Sequence, residues 1–199
     1  KAIGSVTLVA VSKTKPISLL QECYDGGQRI FGENRIKELT DKFEALPKDI
    51  EWHMIGHLQS NKVKYIAPFV RLIHAVDSES LLKEIQKQAL KNNRTIDCLL
   101  QVHIAKETNK FGFSTEELQE LISRKNLQND FPNISFKGLM GMATFSDDQD
   151  LVRSEFKTLK STFHCEDFHL TMIETLHPSS DLQQLSLLSI FLNLHFDIF

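Results

Sequence analysis

Val9-Ala10-Val11-Ser12-Lys13-Thr14-Lys15-Pro16 decides the fold, because an apolar strand runs directly into a lysine and then into a proline suited to a helix's first turn. A strand that hands straight over to a helix is the start of a β/α unit. It also places the Lys13 amine at the end of a rigid element. A lysine so held forms a lasting Schiff base with an aldehyde when its surroundings favour the neutral amine, and Lys15 supplies a second amine two residues on.

The same alternation continues outward. Strand one covers Val6 to Ser12, and a helix from Ile17 to Asp25 stops at Gly26-Gly27, where glycine supplies the left-handed turn that ends helices. A second strand at Arg29 to Gly32 precedes a helix from Arg35 to Ala45. Strand three spans Glu51 to Ile55 and is followed by a short helix from about Asn61 to Ala67, which Pro68 closes. Strand four runs from Arg71 to Val76. Ser78 caps the next helix, whose Leu81, Leu82, Ile85 and Ala89 recur at helical spacing. Strand five is Asp97 to Ile104, and Ser114 with Glu117 forms a capping-box pattern for a helix to about Lys125. Strand six is Ile134 to Met142, with its helix at Asp147 to Phe163.

Strands joined by helical crossovers form a parallel sheet, and six units by residue 163 leave room for two more strands. Eight units close a (β/α)8 TIM barrel. The continuous apolar character of strands one and five suits strands covered on both faces. An open doubly wound sheet is the alternative, but no G-x-G-x-x-G follows strand one. In a barrel, function sits at the C-terminal strand ends. Lys13 is there, on the same face as Val9 and Val11.

Composition sets the class. A chain of 199 residues with 41% hydrophobic and 25% charged content is expected to form one soluble domain over residues 1–199. Its 23 basic and 26 acidic residues give a net charge of −3, so no general attraction to nucleic acid or an anionic membrane is expected. Cys23, Cys98 and Cys165 lack CxxC spacing, which argues for free thiols in the cytoplasm rather than a disulfide framework or zinc site. No apolar run is long enough to span a membrane.

Other strand ends carry unusual content. Phe31-Gly32-Glu33-Asn34 follows strand two, and Asn34 is either a helix cap or a ligand donor. Trp52-His53-Met54-Ile55-Gly56-His57-Leu58-Gln59-Ser60-Asn61-Lys62 passes through strand three into its loop. His53 and His57 have i, i+4 spacing, but Gly56 and the strand context break helical alignment, so His53 reads as a pocket or core residue and not a metal ligand. Lys110-Phe111-Gly112 follows strand five. Gly138-Leu139-Met140 lies in strand six.

In this order the segments resemble the pyridoxal phosphate homeostasis protein family, small single-domain proteins, with the match covering about residues 6–163. The resemblance implies a modified TIM barrel like the barrel domain of alanine racemase. It implies binding of pyridoxal 5′-phosphate (PLP) as a Schiff base on Lys13, with Asn34, His53 and Met140 on segments lining the cofactor pocket. The implied role is a carrier or regulator in PLP, vitamin B6 and amino-acid homeostasis, without established catalysis. PLP-requiring apoenzymes would be its recipients, and a monomer is expected.

The tail departs from this pattern. The family continues with Leu-Ser-Met-Gly-Met-Ser-x-Asp and Gly-Ser-Thr-x-Val-Arg-Ile-Gly, which build the last strands and the phosphate cradle. Here Thr175 to Phe199 keeps only Ser179, Ser180 and Asp181 as an echo of the first, making Ser179 and Ser180 the phosphate-side candidates. Leu185 to Leu192 is apolar enough for a closing strand or a helix. An alternative function is a PLP-dependent amino-acid racemase or lyase. It lacks an evident second base, because Tyr24 and Tyr65 fall in predicted helices. A cofactor-free interaction protein is the third reading.

Overall fold

The computed structural model describes residues 6–104, 111–124, 127–141, 171–175 and 189–195, with scattered residues between 148 and 157. Its first six strands and the helices between them follow the expected order, while the helix expected at 147–163 lies mostly outside the described residues: β1 (Val6–Val11), α1 (Ile17–Asp25), β2 (Ile30–Glu33), α2 (Ile36–Ala45) and β3 (Glu51–Met54) come first. Then α3 (Val63–Ile66), β4 (Leu72–Val76), α4 (Glu79–Lys91), β5 (Ile96–Val102), α5 (Thr115–Ser123), α6 (Leu127–Asp130) and β6 (Ile134–Gly141) complete the run.

Local chemistry sets most boundaries. Ser78 accepts from the Leu81 N–H at 3.4 Å, and the Ser114–Glu117 capping box is present in full at the start of α5. Gly27, with φ 101°, supplies the left-handed turn after α1. The helix expected over residues 61–67 divides, because a 3-10 turn at Ser60–Lys62, with Lys62 N–H donating to Gln59 O at 2.9 Å, leads into only one turn of α3. The single turn of α6 was not signalled by periodicity. It seats Leu127, with Phe131 just beyond, in the core.

β1 to β6 pair in parallel in sequence order. One face carries Ala10, Phe31, Trp52, Ile73, Cys98 and Leu100 against Leu20, Leu39, Leu82 and Ile85 of the helices. On the other, Leu72, Ala75, Leu99 and Met140 form a separate cluster inside the curl of the sheet. Every residue of β4 and β5 is buried, as expected for strands covered on both faces. At the N-terminal ends of the strands, Arg71 bridges Glu51 at 3.5 Å and Asp97 at 3.3 Å, and Lys137 reaches Asp97 at 3.6 Å.

The last two strands change direction. β7 (Thr171–Thr175) and β8 (Ser189–His195) are antiparallel to each other, and β8 lies antiparallel along β1. The sheet order is therefore β6-β5-β4-β3-β2-β1-β8-β7. The apolar stretch near the C-terminus takes the strand alternative, but it is not a seventh and eighth parallel unit. Antiparallel neighbours need no helical crossover, and this tail lacks the glycine-rich turns of the family's closing strands. The α/β, alanine-racemase-like barrel class stands, with two antiparallel strands in place of the last parallel units.

Candidate functional site at the C-terminal strand ends

The turn after β1 is held from below by a charged network. Ser12 N–H donates to Gly32 O at 3.0 Å, extending the β1–β2 ladder by one residue, and Lys15 N–H returns to Ser12 O at 3.0 Å. Between them stand Lys13, which is exposed, and Thr14, whose φ of 62° is a left-handed conformation that branched residues rarely adopt. On the helix side, the Ser12 hydroxyl donates to Glu33 Oε1 at 2.7 Å. Lys42 Nζ, from α2, donates to the same oxygen at 2.6 Å and to Ser12 O at 2.7 Å. Glu33 and Lys42 are both buried.

A second carboxylate completes the clamp. Glu38 Oε2 accepts the Thr14 N–H at 2.8 Å and lies 3.5 Å from Lys42 Nζ, the i, i+4 spacing placing both on one face of α2. The Thr14 N–H, and secondarily Lys42, hold the Glu38 carboxyl below its ordinary pKa. By strand alternation Lys13 belongs to the opposite face, with Val9 and Val11.

Asn34 follows β2 beside this turn. It does not cap the next helix: the N-cap of α2 is Arg35, and no side-chain cap bond is present there. The backbone of Asn34 instead packs on Gly56, where a Cβ would stand 2.7 Å from Asn34 O and 2.8 Å from its Cα. Gly56→Ala must therefore displace the β2 end, and is expected to lower stability by about 1–3 kcal/mol. Denaturant melts read that loss, while an unchanged midpoint would mean the two loops separate freely.

His53 lies deeper, facing His74 of the next strand, with His53 Nδ1 and His74 Nε2 3.0 Å apart. Burial pushes the His53 pKa down to about 3, with the nearby Arg71 charge adding to it, and burial and then His53 lower His74 well below its ordinary value. The pair is neutral, one ring donating to the other. His74 Nδ1 has no hydrogen-bond partner among the described residues. Met140 is packed against Leu72, Ala75 and Leu99 as part of the interior wall.

His57 serves a separate place. Its Nδ1 lies 3.0 Å from Asp77 Oδ2, after β4, and its ring stacks on Phe111, after β5, at a centroid distance of 4.0 Å. Gly112, with φ 139°, lets this last segment return so closely that a Cβ would stand 2.7 Å from His103 N. Loops after β3, β4 and β5 thus meet at the rim. No group of three or more metal-binding side chains occurs among the described residues.

The strand ends bring Lys13, Asn34 and the His57 loop to one end of the sheet, while His53 and Met140 lie buried beneath it. Ser179 and Ser180 lie outside the described residues, as does Lys110. Sequence reasoning missed Glu33, Glu38, Lys42 and Asp77. The available signal was Lys42 itself, three residues after Leu39 on the apolar stripe of α2.

The match of residues 1–180 to the family model for the alanine racemase N-terminal domain puts this barrel, with its strand-end lysine, in that class. Relatives narrow it. The pyridoxal phosphate homeostasis protein of Aquifex aeolicus is 41% identical over 77% of this chain and 66% of its own length, and that of Synechocystis is 33% identical over 80% and 74%. The chain belongs to the pyridoxal phosphate homeostasis protein family. It spans 66% and 61% of the Aquifex and Vibrio cholerae relatives' lengths. Among solved structures, PipY of Synechococcus elongatus with PLP bound superposes with a TM-score of 0.71 at 30% identity, covering 81% of this chain and 74% of PipY. Alanine racemase from Bartonella henselae, at 17% identity and a TM-score of 0.60 over 82% of this chain and 48% of its own, shares the fold.

Proposed function

We propose that the chain binds PLP as a Schiff base on Lys13 and serves as a carrier or regulator of PLP, and so of vitamin B6 and amino-acid balance. The observation that carries this reading is the clamped turn, which presents one primary amine at the C-terminal end of β1. The residues fit the aldehyde-bearing ring in kind: a primary amine on Lys13, an amide side chain on Asn34 after the neighbouring strand, and neutral or apolar residues, His53 and Met140, in the interior beneath them. Ser179 and Ser180 are the phosphate-side part of the proposal. Relatives named for PLP homeostasis and the PLP-bound PipY structure support the same reading.

The cofactor supplies an aldehyde carbon. With PLP bound, Lys13 would hold that carbon through its nitrogen with loss of water, and a second amine taking the carbon in its place would free Lys13. Lys15 is an amine near enough in sequence to take part in that release. The reading extends to PLP-requiring apoenzymes as recipients, to a monomeric carrier and to the cytoplasm, where Cys23 and Cys98, both free, would stay reduced. No helix among the described residues is long and apolar enough to cross a membrane.

Borohydride reduction of the PLP-treated chain followed by peptide mapping is expected to find the label on Lys13. Lys13→Ala is expected to abolish the visible absorbance while shifting stability by less than about 0.5 kcal/mol, since the side chain is exposed. Undiminished absorbance in that variant would remove Lys13 from the proposal.

A further inference from the structure

We infer that Glu33, Glu38 and Lys42 are positioning residues that fix where the Lys13 amine stands, an inference that rests on Lys13 being the aldehyde-binding group. A branched residue with positive φ persists only where its surroundings over-determine it, and such conformations gather at working sites. Thr14 is such a residue. Its N–H is taken by Glu38 at 2.8 Å, and the residue after it returns to Ser12 O at 3.0 Å. Ser12 O is in turn held by Lys42, whose ammonium is fixed by Glu33.

Every link is polar and most are buried, so the turn has little freedom to relax. An ordinary strand end does not need a fully buried carboxylate and a buried lysine beneath it. A solvent-exposed hairpin or crossover turn forms from backbone bonds alone. Here the charged pair bonds both to the last residue of the ladder and, through Glu38, to the strained position itself. The side chain between those two anchored points is Lys13. The clamp thereby fixes the Cα of the amine-bearing residue and the direction in which its side chain leaves, leaving only the side-chain torsions to sample.

Thr14→Gly and Glu38→Gln test this without removing the buried pair. Glycine accepts the same φ without steric cost, so Thr14→Gly folds but loosens the turn, and Glu38→Gln keeps an acceptor while losing the charge. The readout is the ratio of Lys13 to Lys15 modified by pyridoxal, which lacks the phosphate, trapped with borohydride and counted by tandem mass spectrometry. The natural chain is expected to favour Lys13, and each variant to lower the ratio by about tenfold or more, since displacements near 1 Å have effects of that order or larger. An unchanged ratio in both folded variants overturns the inference. A PLP titration of the natural chain runs in parallel. A ratio that falls in a chain that stays colourless with PLP supports the clamp and defeats the cofactor reading, and a coloured chain whose variants keep the ratio does the reverse.

Discussion

Lys42→Met is expected to lower the free energy of unfolding by about 3–5 kcal/mol, the largest effect of any single change in the clamp. Methionine approximates the lysine stem but carries no donor. Glu33 would then be left fully buried, with Oε1 accepting, among the described residues, only from Ser12 and Oε2 already without a hydrogen-bond partner there. An uncompensated buried carboxylate costs far more than the net worth of the pair. Replacing both residues, as Lys42→Met with Glu33→Leu, is therefore expected to recover most of the loss. Trp52, the chain's one tryptophan and fully buried, reports the urea transition of each variant by fluorescence. Strict additivity of the two single changes would show that the pair does not act as a unit.

Acid is expected to unfold the protein through the His53–His74 pair. In the fold His53 is held down to about 3 and His74 is also lowered, whereas in the unfolded chain both titrate near 6.5. Above pH 6.5 neither state binds the protons and stability is full. As pH falls from 6.5 toward 3 the unfolded chain protonates His53 and the folded one does not, so stability falls by about 1.4 kcal/mol per pH unit on its account, and His74 acts in the same direction. Two units below 6.5, His53 alone accounts for about 3 kcal/mol, a large share of the stability of a marginal domain, and His74 adds to it in the same direction. The carboxyl of Glu79, held at about 2 by Arg124 and then Lys83, loses its contribution only from 4.5 downward and so belongs to a lower window. Urea midpoints measured from pH 7 to pH 4.5 should fall steeply in the natural chain and less steeply in His53→Gln. Equal slopes in both would place the acid sensitivity elsewhere.

What the sequence disclosed followed from whether the signal was local. Ser78, the Ser114–Glu117 box and the residues of β1 to β6 act within a turn or a strand, and periodicity and capping rules find such elements directly. The clamp is different. Glu33 sits in a strand-end motif that reads as loop chemistry, and its partner lies nine positions later on a helix whose other charges, Glu38 apart, are exposed. Only the packing of α2 on the sheet turns those charges into a buried pair. His74 was hidden by its apolar strand, and its meaning depends on β3 and β4 standing side by side. Lys13 itself was legible, since a strand end and a proline fix its place. For β8, composition allowed a strand or a helix, and both the choice and the strand direction are set by long-range pairing with β1, which no local pattern carries.

The clamp has one more consequence, for the order in which the molecule is made. Its outermost members, Ser12 and Lys42, are thirty positions apart. All of its bonds close within two successive strand–helix units, so they add little loop entropy and can form soon after α2 leaves the ribosome, before β3 is needed. β1 waits for its other neighbour until the far end of the chain has been synthesised. The nascent protein is thus equipped to set its reactive amine early, and changes accumulated in the late strands leave that first assembly step untouched.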